Sequence, residues 1–143
     1  MHHVHGVNNV VGCAVWNGAH LDMLEKFDAA AIWARICSET DAPTVFMAVP
    51  TIYARMIAEF HKSPTEERRA AAAKLRLYVS GSAALQNTYF RQWEEITGQK
   101  ILERYGMSEV GMALSNFYKG ERREGWVGKP FPEVLSKVGQ PKP

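Results

Sequence analysis

Strand-like and helix-like segments alternate along this chain, and this alternation most constrains its fold. Residues 44–49 form a β-branched and apolar run that ends at a proline, and residues 52–60 then follow a helical pattern. A second strand-like run over residues 75–79 precedes a helical pattern over residues 87–97 and a short strand over residues 101–103. Because strands joined by helices run parallel, the pattern predicts an α/β fold with a mostly parallel sheet flanked by helices on both faces.

Capping signals and shorter patterns place the other elements. Asp28 is a good N-cap for a helix ending near Cys37, and Gly98 suits the end of the later helix. Further segments are expected as a short buried helix (residues 7–15), a strand (residues 20–24), a charged surface helix (residues 63–73) and a last strand (residues 112–115). Three tryptophans lie at core-like spacings: Trp16, Trp33 and Trp93.

Composition excludes several classes of protein. With 143 residues, 46% hydrophobic and 22% charged, the chain fits one compact domain or a piece of one. Its 17 basic and 15 acidic residues are scattered, so a nucleic-acid partner is not expected. The mostly apolar run over residues 10–15 is far shorter than the roughly 20 residues that span a bilayer. We therefore expect no membrane span and find no targeting segment, which leaves the cytoplasm and the mitochondrial matrix as possible compartments.

Neither the cysteines nor the histidines indicate a metal centre. Cys13 and Cys37 lack CxxC spacing and are expected to be small buried hydrophobic residues in a reducing compartment. His2, His3 and His5 cluster, but no cysteine or carboxylate follows at ligand spacing, and a zinc site normally needs three or four ligands. A frayed polar chain end remains the alternative for this cluster.

The stretch ERYGMSE, residues 103–109, suggests nucleotide chemistry. Tyr105 offers a flat face to a base, and Gly106 lets the backbone pass close to a ligand. Ser108 and Glu109 are suited to a phosphate oxygen and a Mg²⁺ ion. The alternative is a tight turn after a strand, with the tyrosine packed and the glutamate solvated.

Arg104 points to an acidic ligand. A guanidinium matches a carboxylate with two parallel hydrogen bonds, and burying it without such a partner leaves donors unpaired at a cost. The competing interpretation is an ion pair with Glu103 or Glu109.

Four motifs together carry a family resemblance. They are HHVHG (residues 2–6), FMAVPTIYARMI (46–57), SGSAAL (80–85) and LERYGMSE (102–109). At this spacing the chain resembles the adenylate-forming acyl-CoA synthetases, and most of all their malonyl-CoA synthetase branch. The resemblance implies that residues 1–134 are part of an AMP-binding (adenylation) domain, a partial subdomain of the family's N-terminal domain, followed by an irregular tail over residues 135–143.

The resemblance also implies roles for individual residues. Tyr105 would stack on adenine, Ser108 would touch the α-phosphate, and Glu109 would help to hold Mg²⁺, with the last two as catalytic residues. Further nucleotide contacts are implied for Gly81, Ala83, Glu103, Gly106 and Met107. Contacts to the acid are implied for His3, His5, Ser82 and Arg104.

The implied activity is an AMP-forming acid–thiol ligation. In this branch, ATP with Mg²⁺ converts a short dicarboxylic acid, malonate, to an acyl-adenylate, and coenzyme A then displaces AMP. The chain shows no phosphate loop ending in Lys, no ribose-binding Gly-Asp segment and no small C-terminal domain with its catalytic Lys. We therefore expect a central fragment that is inactive alone.

Other functions stay open at this stage. The chain departs from the family pattern at Gln86, Glu124 and Glu133. One alternative is a non-catalytic remnant or a binding module that self-associates through exposed sheet edges. Another is a ligase for a different short or medium carboxylic acid.

Overall fold

The computed structural model describes residue 3, residues 5–132 and residue 134. A π helix, His5–Gly12, continues into α1, Cys13–Trp16. The later helices are α2 (Ala29–Ile36), α3 (Pro50–Lys62), α4 (Glu66–Lys74) and α5 (Asn87–Thr97). The strands are β1 (Val45–Ala48), β2 (Leu77–Ser80), β3 (Leu102–Met107), β4 (Gly111–Ser115) and β5 (Lys129–Pro130). The tail expected over residues 135–143 and the departure at Glu133 lie outside the described residues.

The sheet is mixed and has five strands in the order β1-β2-β3-β4-β5. Strands β1, β2 and β3 are parallel, and β4 and β5 are added antiparallel to the β3 edge. The α/β architecture predicted from the alternation is therefore confirmed. No helix within the described part of the chain is both long and apolar enough to cross a membrane.

Local sequence signals fix the ends of the helices. The Asp28 carboxylate accepts a hydrogen bond from the Ala31 N–H at 3.0 Å and caps α2. Pro50 occupies the first turn of α3, where its fixed φ suits a helix and its missing N–H is not needed. Gly98 ends α5 with a φ of 71°, a conformation that side chains disfavour.

An aromatic core joins helices α2 to α5 to one face of the parallel strands. Trp33, Tyr53, Tyr78 and Trp93 are fully buried, and the rings of Tyr53 and Tyr78 meet Trp93 edge-on at about 5 Å. The Tyr53 hydroxyl donates to the Val79 carbonyl at 2.9 Å, which ties α3 to the end of β2. This core holds the carboxyl ends of β1 and β2 in place.

The opposite face of the sheet carries the π helix. Because side chains alternate along a strand, Met47, Val79 and Leu102 lie on the face away from the aromatic core. Arg104, two residues beyond Leu102, lies on this same face and meets His5 of the π helix. Helices therefore cover both faces, as predicted.

Several local predictions are wrong. Residues 20–24 are irregular, because a short segment without a neighbouring strand cannot complete a ladder. Cys13 is exposed and Cys37 is only partly buried. The helical pattern after Gly6 does form a helix, but Val15 and Trp16 are 73% and 90% exposed, so this helix is not buried.

Candidate functional site

The turn after β2 packs tightly against Arg104. Gly81 is buried, and a Cβ atom added there would lie 3.4 Å from both the Arg104 Cγ and the His5 Nδ1. Ser82, which follows it, has a φ of 68°, in the left-handed region that non-glycine residues seldom adopt. The turn therefore places the backbone of Gly81 and the strained Ser82 next to the Arg104 side chain.

The ERYGMSE stretch forms a β-hairpin and not a turn after Glu103, because β3 continues to Met107 and pairs with β4. A Cβ atom on Gly106 would collide with the Gly111 carbonyl oxygen. Gly106 thus permits a close approach of the β4 backbone, whereas the predicted approach to a ligand remains a prediction. The pairing also shifts register between Tyr105 and Gly106.

Arg104 has no carboxylate partner among the described residues. Its Nη2 atom lies 2.9 Å from the Nδ1 atom of His5 and 4.0 Å from the Met47 sulfur, and its buried Nε–H has no acceptor there. The ion pair with Glu103 or Glu109 is not found in this part of the chain. Burial lowers the pKa of the guanidinium, because a partly buried cation loses hydration.

His5 remains neutral beside this cation. Burial, together with the charge of Arg104, lowers the pKa of the imidazole from 6.5 to about 4. A neutral ring has one unprotonated nitrogen, which can accept the hydrogen bond that the guanidinium donates. His5 thus orients Arg104 without cancelling its positive charge.

Acid is expected to destabilise the protein through His5. Between pH 6.5 and about 4 the unfolded chain binds more protons than the folded protein, so the free energy of unfolding falls as the pH falls through this window. The loss amounts to about 3 kcal/mol for this group. Urea unfolding should be measured near neutral pH and at about pH 4.5. Between these two pH values, His5→Gln should lose less free energy of unfolding than the wild type.

His20→Gln, which alters an exposed imidazole, is the matched control and should behave like the wild type. Equal losses of stability in the wild type and in His5→Gln would contradict the assignment.

Five of the predicted site residues surround one small pocket beneath the π helix. The lining residues are His5, Asn9, Gly81, Ser82, Arg104, Gly106 and Met112. Outside this pocket, the Tyr105 ring is 46% exposed, and Met107, Ser108 and Glu109 are exposed on the hairpin. Ala83 and His3 are also exposed. The predicted acid contacts, except His3, therefore lie together at the pocket. The exposed hairpin residues lie outside it.

Glu103 is buried and connects two loops. Its carboxyl group accepts hydrogen bonds from the backbone N–H groups of Leu85 and Gly125, and burial raises its pKa. The Asn116 side chain donates to the Glu103 carbonyl at 3.0 Å and to the Trp126 carbonyl at 2.7 Å. These bonds hold the end of the SGSAAL segment beside the loop that contains Trp126. A nucleotide contact by Glu103 remains a prediction.

The sequence interpretation missed Asn9 and Met112. Asn9 is only 6% exposed, and its amide donates to the Met112 sulfur at 3.0 Å. The sequence did contain one signal for Asn9. His5 and Asn9 are four residues apart in a helical segment, and residues with this spacing share a face of the helix.

Residues 1–142 match the family described as AMP-binding enzyme. The chain belongs to this family. A mitochondrial malonate–CoA ligase of Bos taurus is 43% identical over 150 residues. That alignment covers 100% of this chain and 26% of the relative, so the chain spans about a quarter of the relative's length.

Two solved structures of CoA ligases share the fold of this AMP-binding family chain. The ATP-bound MatB from Rhodopseudomonas palustris has a TM-score of 0.78 and 36% identity, covering 91% of this chain and 24% of that protein. A benzoate CoA ligase from Burkholderia xenovorans has a TM-score of 0.73 and 32% identity, covering 91% and 25%.

Proposed function

We propose that this chain is the acid-binding and nucleotide-binding centre of an AMP-forming ligase that joins a short dicarboxylic acid, malonate, to coenzyme A. The observation that carries the proposal is Arg104, a partly buried arginine whose buried Nε–H is unpaired and which has no carboxylate partner among the described residues. Such a cation is suited to a ligand that brings its own negative charge. The malonate–CoA ligase name of the cattle relative supports the same acid.

Arg104 would hold the carboxylate that does not react. Its planar group can donate two parallel hydrogen bonds, and neutral His5 keeps it directed into the pocket. Ser82 would supply a hydroxyl donor from the adjoining turn. Because the pocket is shielded from water on the His5 side, this pairing should be stronger than the same contact in solvent.

The hairpin would bind the nucleotide. The half-exposed Tyr105 ring is free to stack on adenine, and Ser108 at the hairpin loop would donate to an α-phosphate oxygen. We further propose contacts to the nucleotide from Gly81, Ala83, Glu103, Gly106 and Met107, and a contact from His3 to the acid.

Glu109 suits the Mg²⁺ ion that accompanies ATP. Its carboxylate is exposed at the hairpin loop and makes no ion pair within the described part of the chain. Mg²⁺ usually takes one or two protein carboxylates and completes its shell with phosphate oxygens and water. When bound, the ion would neutralise charge on the phosphates, and Glu109 would be the residue that holds it.

The reaction has two steps. A carboxylate oxygen of the acid attacks the α-phosphorus of ATP, and pyrophosphate leaves. The sulfur of coenzyme A then attacks the acyl carbon, a C–S bond forms, and AMP leaves. This chain would contribute mainly orientation, since Arg104 would hold the acid and Tyr105 would hold the nucleotide. We propose the mitochondrial matrix, with the cytoplasm as the alternative, because the name of the cattle relative describes that protein as mitochondrial.

A graft tests this proposal. Residues 5–132 replace the corresponding segment of the Rhodopseudomonas MatB, and the product is called the graft. With ATP, Mg²⁺ and coenzyme A, the graft should form malonyl-CoA and AMP and should prefer malonate to acetate and benzoate. The unaltered MatB, assayed with the same acids, serves as the reference. A folded graft that favours benzoate or acetate would contradict the assignment of malonate.

A further inference from the structure

We propose that Asn9 is a second hydrogen-bond donor to the carboxylate that Arg104 holds. This inference rests on the proposed function, because it names another residue that binds the same acid. It makes Asn9 a substrate-binding residue that helps to distinguish dicarboxylic from monocarboxylic acids.

The Asn9 amide has a poor partner in this structure. Its side chain is buried, and its N–H donates to the Met112 thioether sulfur at 3.0 Å. A thioether is only a weak acceptor, so this contact returns little of the free energy lost when the amide leaves water. A buried donor of this kind is suited to a stronger acceptor.

A second under-used donor lies in the same pocket. The Arg104 Nε–H is buried and unpaired within the described residues, and Arg104 and Asn9 both line the pocket. The described lining contains a cation, an amide, a serine hydroxyl and a neutral imidazole, but no carboxylate. This set of groups is complementary to the oxygens of an anion.

The position of Met112 lets Asn9 change partners. Met112 pairs with Gly106 across the hairpin, two residues along β3 from Arg104. A carboxylate bound to Arg104 would therefore lie beside the Asn9–Met112 contact. The amide can then exchange the sulfur for a carboxylate oxygen, which gives a charge-assisted bond. Acid binding would in this way add a second link between the π helix and β3, next to the contact between His5 and Arg104.

The test is a binding experiment on the 143-residue chain labelled with ¹⁵N. Malonate is titrated while the side-chain amide signals of Asn9 and of its exposed neighbour Asn8 are followed by NMR. The Asn9 signals should shift with malonate far more than with acetate, and the Asn8 signals should not move. Asn9→Leu should weaken the Kd for malonate roughly tenfold, the typical effect of losing a hydrogen bond to a charged group. Asn8→Leu is the matched control and should leave the Kd unchanged.

Asn9→Asp keeps the shape of the side chain, so it provides a second test if the leucine variant does not fold. Its negative charge would oppose the carboxylate, so it should weaken malonate binding more than Asn9→Leu does. An unchanged Kd in a folded Asn9 variant, or the absence of any malonate-dependent shift at Asn9, would overturn the inference.

The graft distinguishes failure of this inference from failure of the proposed function. Malonyl-CoA formation that is insensitive to Asn9→Leu contradicts only this inference, whereas a folded graft that makes no malonyl-CoA contradicts the proposed function.

Discussion

Replacing Arg104 with alanine in the graft is expected to lower kcat/KM for malonate by roughly 30-fold or more. Removing one partner of a buried, hydrogen-bonded charge pair typically costs about 2 to 5 kcal/mol, and the lower end of that range gives this factor. Acetate has no second carboxylate, so its kcat/KM should change little. Steady-state kinetics with both acids measures the ratio.

Arg91→Ala is the matched control for this substitution. Arg91 is an exposed arginine whose ion pair with Glu124 spans 3.3 Å, and it lies outside the pocket lining. Exposed ion pairs contribute little, so this variant should keep the wild-type preference for malonate. Equal losses on malonate and acetate in Arg104→Ala would show that the arginine serves the fold or the nucleotide instead.

The 143-residue chain alone is expected to form no acyl-CoA above background. The chain spans about a quarter of the cattle relative, and the groups of a catalytic site act as a unit, so a part of the site gives little activity. Incubation with ATP, Mg²⁺, coenzyme A and malonate, followed by chromatography of AMP and malonyl-CoA, measures the outcome.

The graft, which contains residues 5–132 within the rest of a ligase, is the positive control for that experiment. Boiled chain sets the background. Release of AMP by the native chain above this background, abolished in Arg104→Ala, would show that the chain has an active site of its own.

Sequence patterns predicted the fold best where short-range chemistry decides structure. The cap at Asp28, the first-turn Pro50 and the left-handed Gly98 all act within one helical turn, and the helices they delimit are present. Strand assignments were weaker because a strand depends on its neighbours. Residues 20–24 have no partner strand in the described structure, whereas β3 extends past Glu103 because β4 returns to pair with it.

The site could be predicted only in part, for a similar reason. Arg104 was recognisable because a guanidinium matches a carboxylate and because this arginine directly precedes Tyr105 in the motif that carries the family resemblance. Its actual partner, His5, is 99 residues away in sequence, and no local pattern reports that contact. Asn9 was not considered from the sequence, because its burial against Met112 depends on how the π helix lies on the sheet.

Arg104 and Tyr105 are consecutive residues in β3, and this arrangement would let the strand select the acid by its length. A strand advances by about 3.3 Å per residue and sends consecutive side chains to opposite faces, so the backbone fixes the two points from which the cation and the ring extend. A diacid longer than malonate could not keep one carboxylate on Arg104 and the other at the same place beside the nucleotide. Discrimination by length would then be a property of the backbone, and substitutions in remote loops would leave it intact.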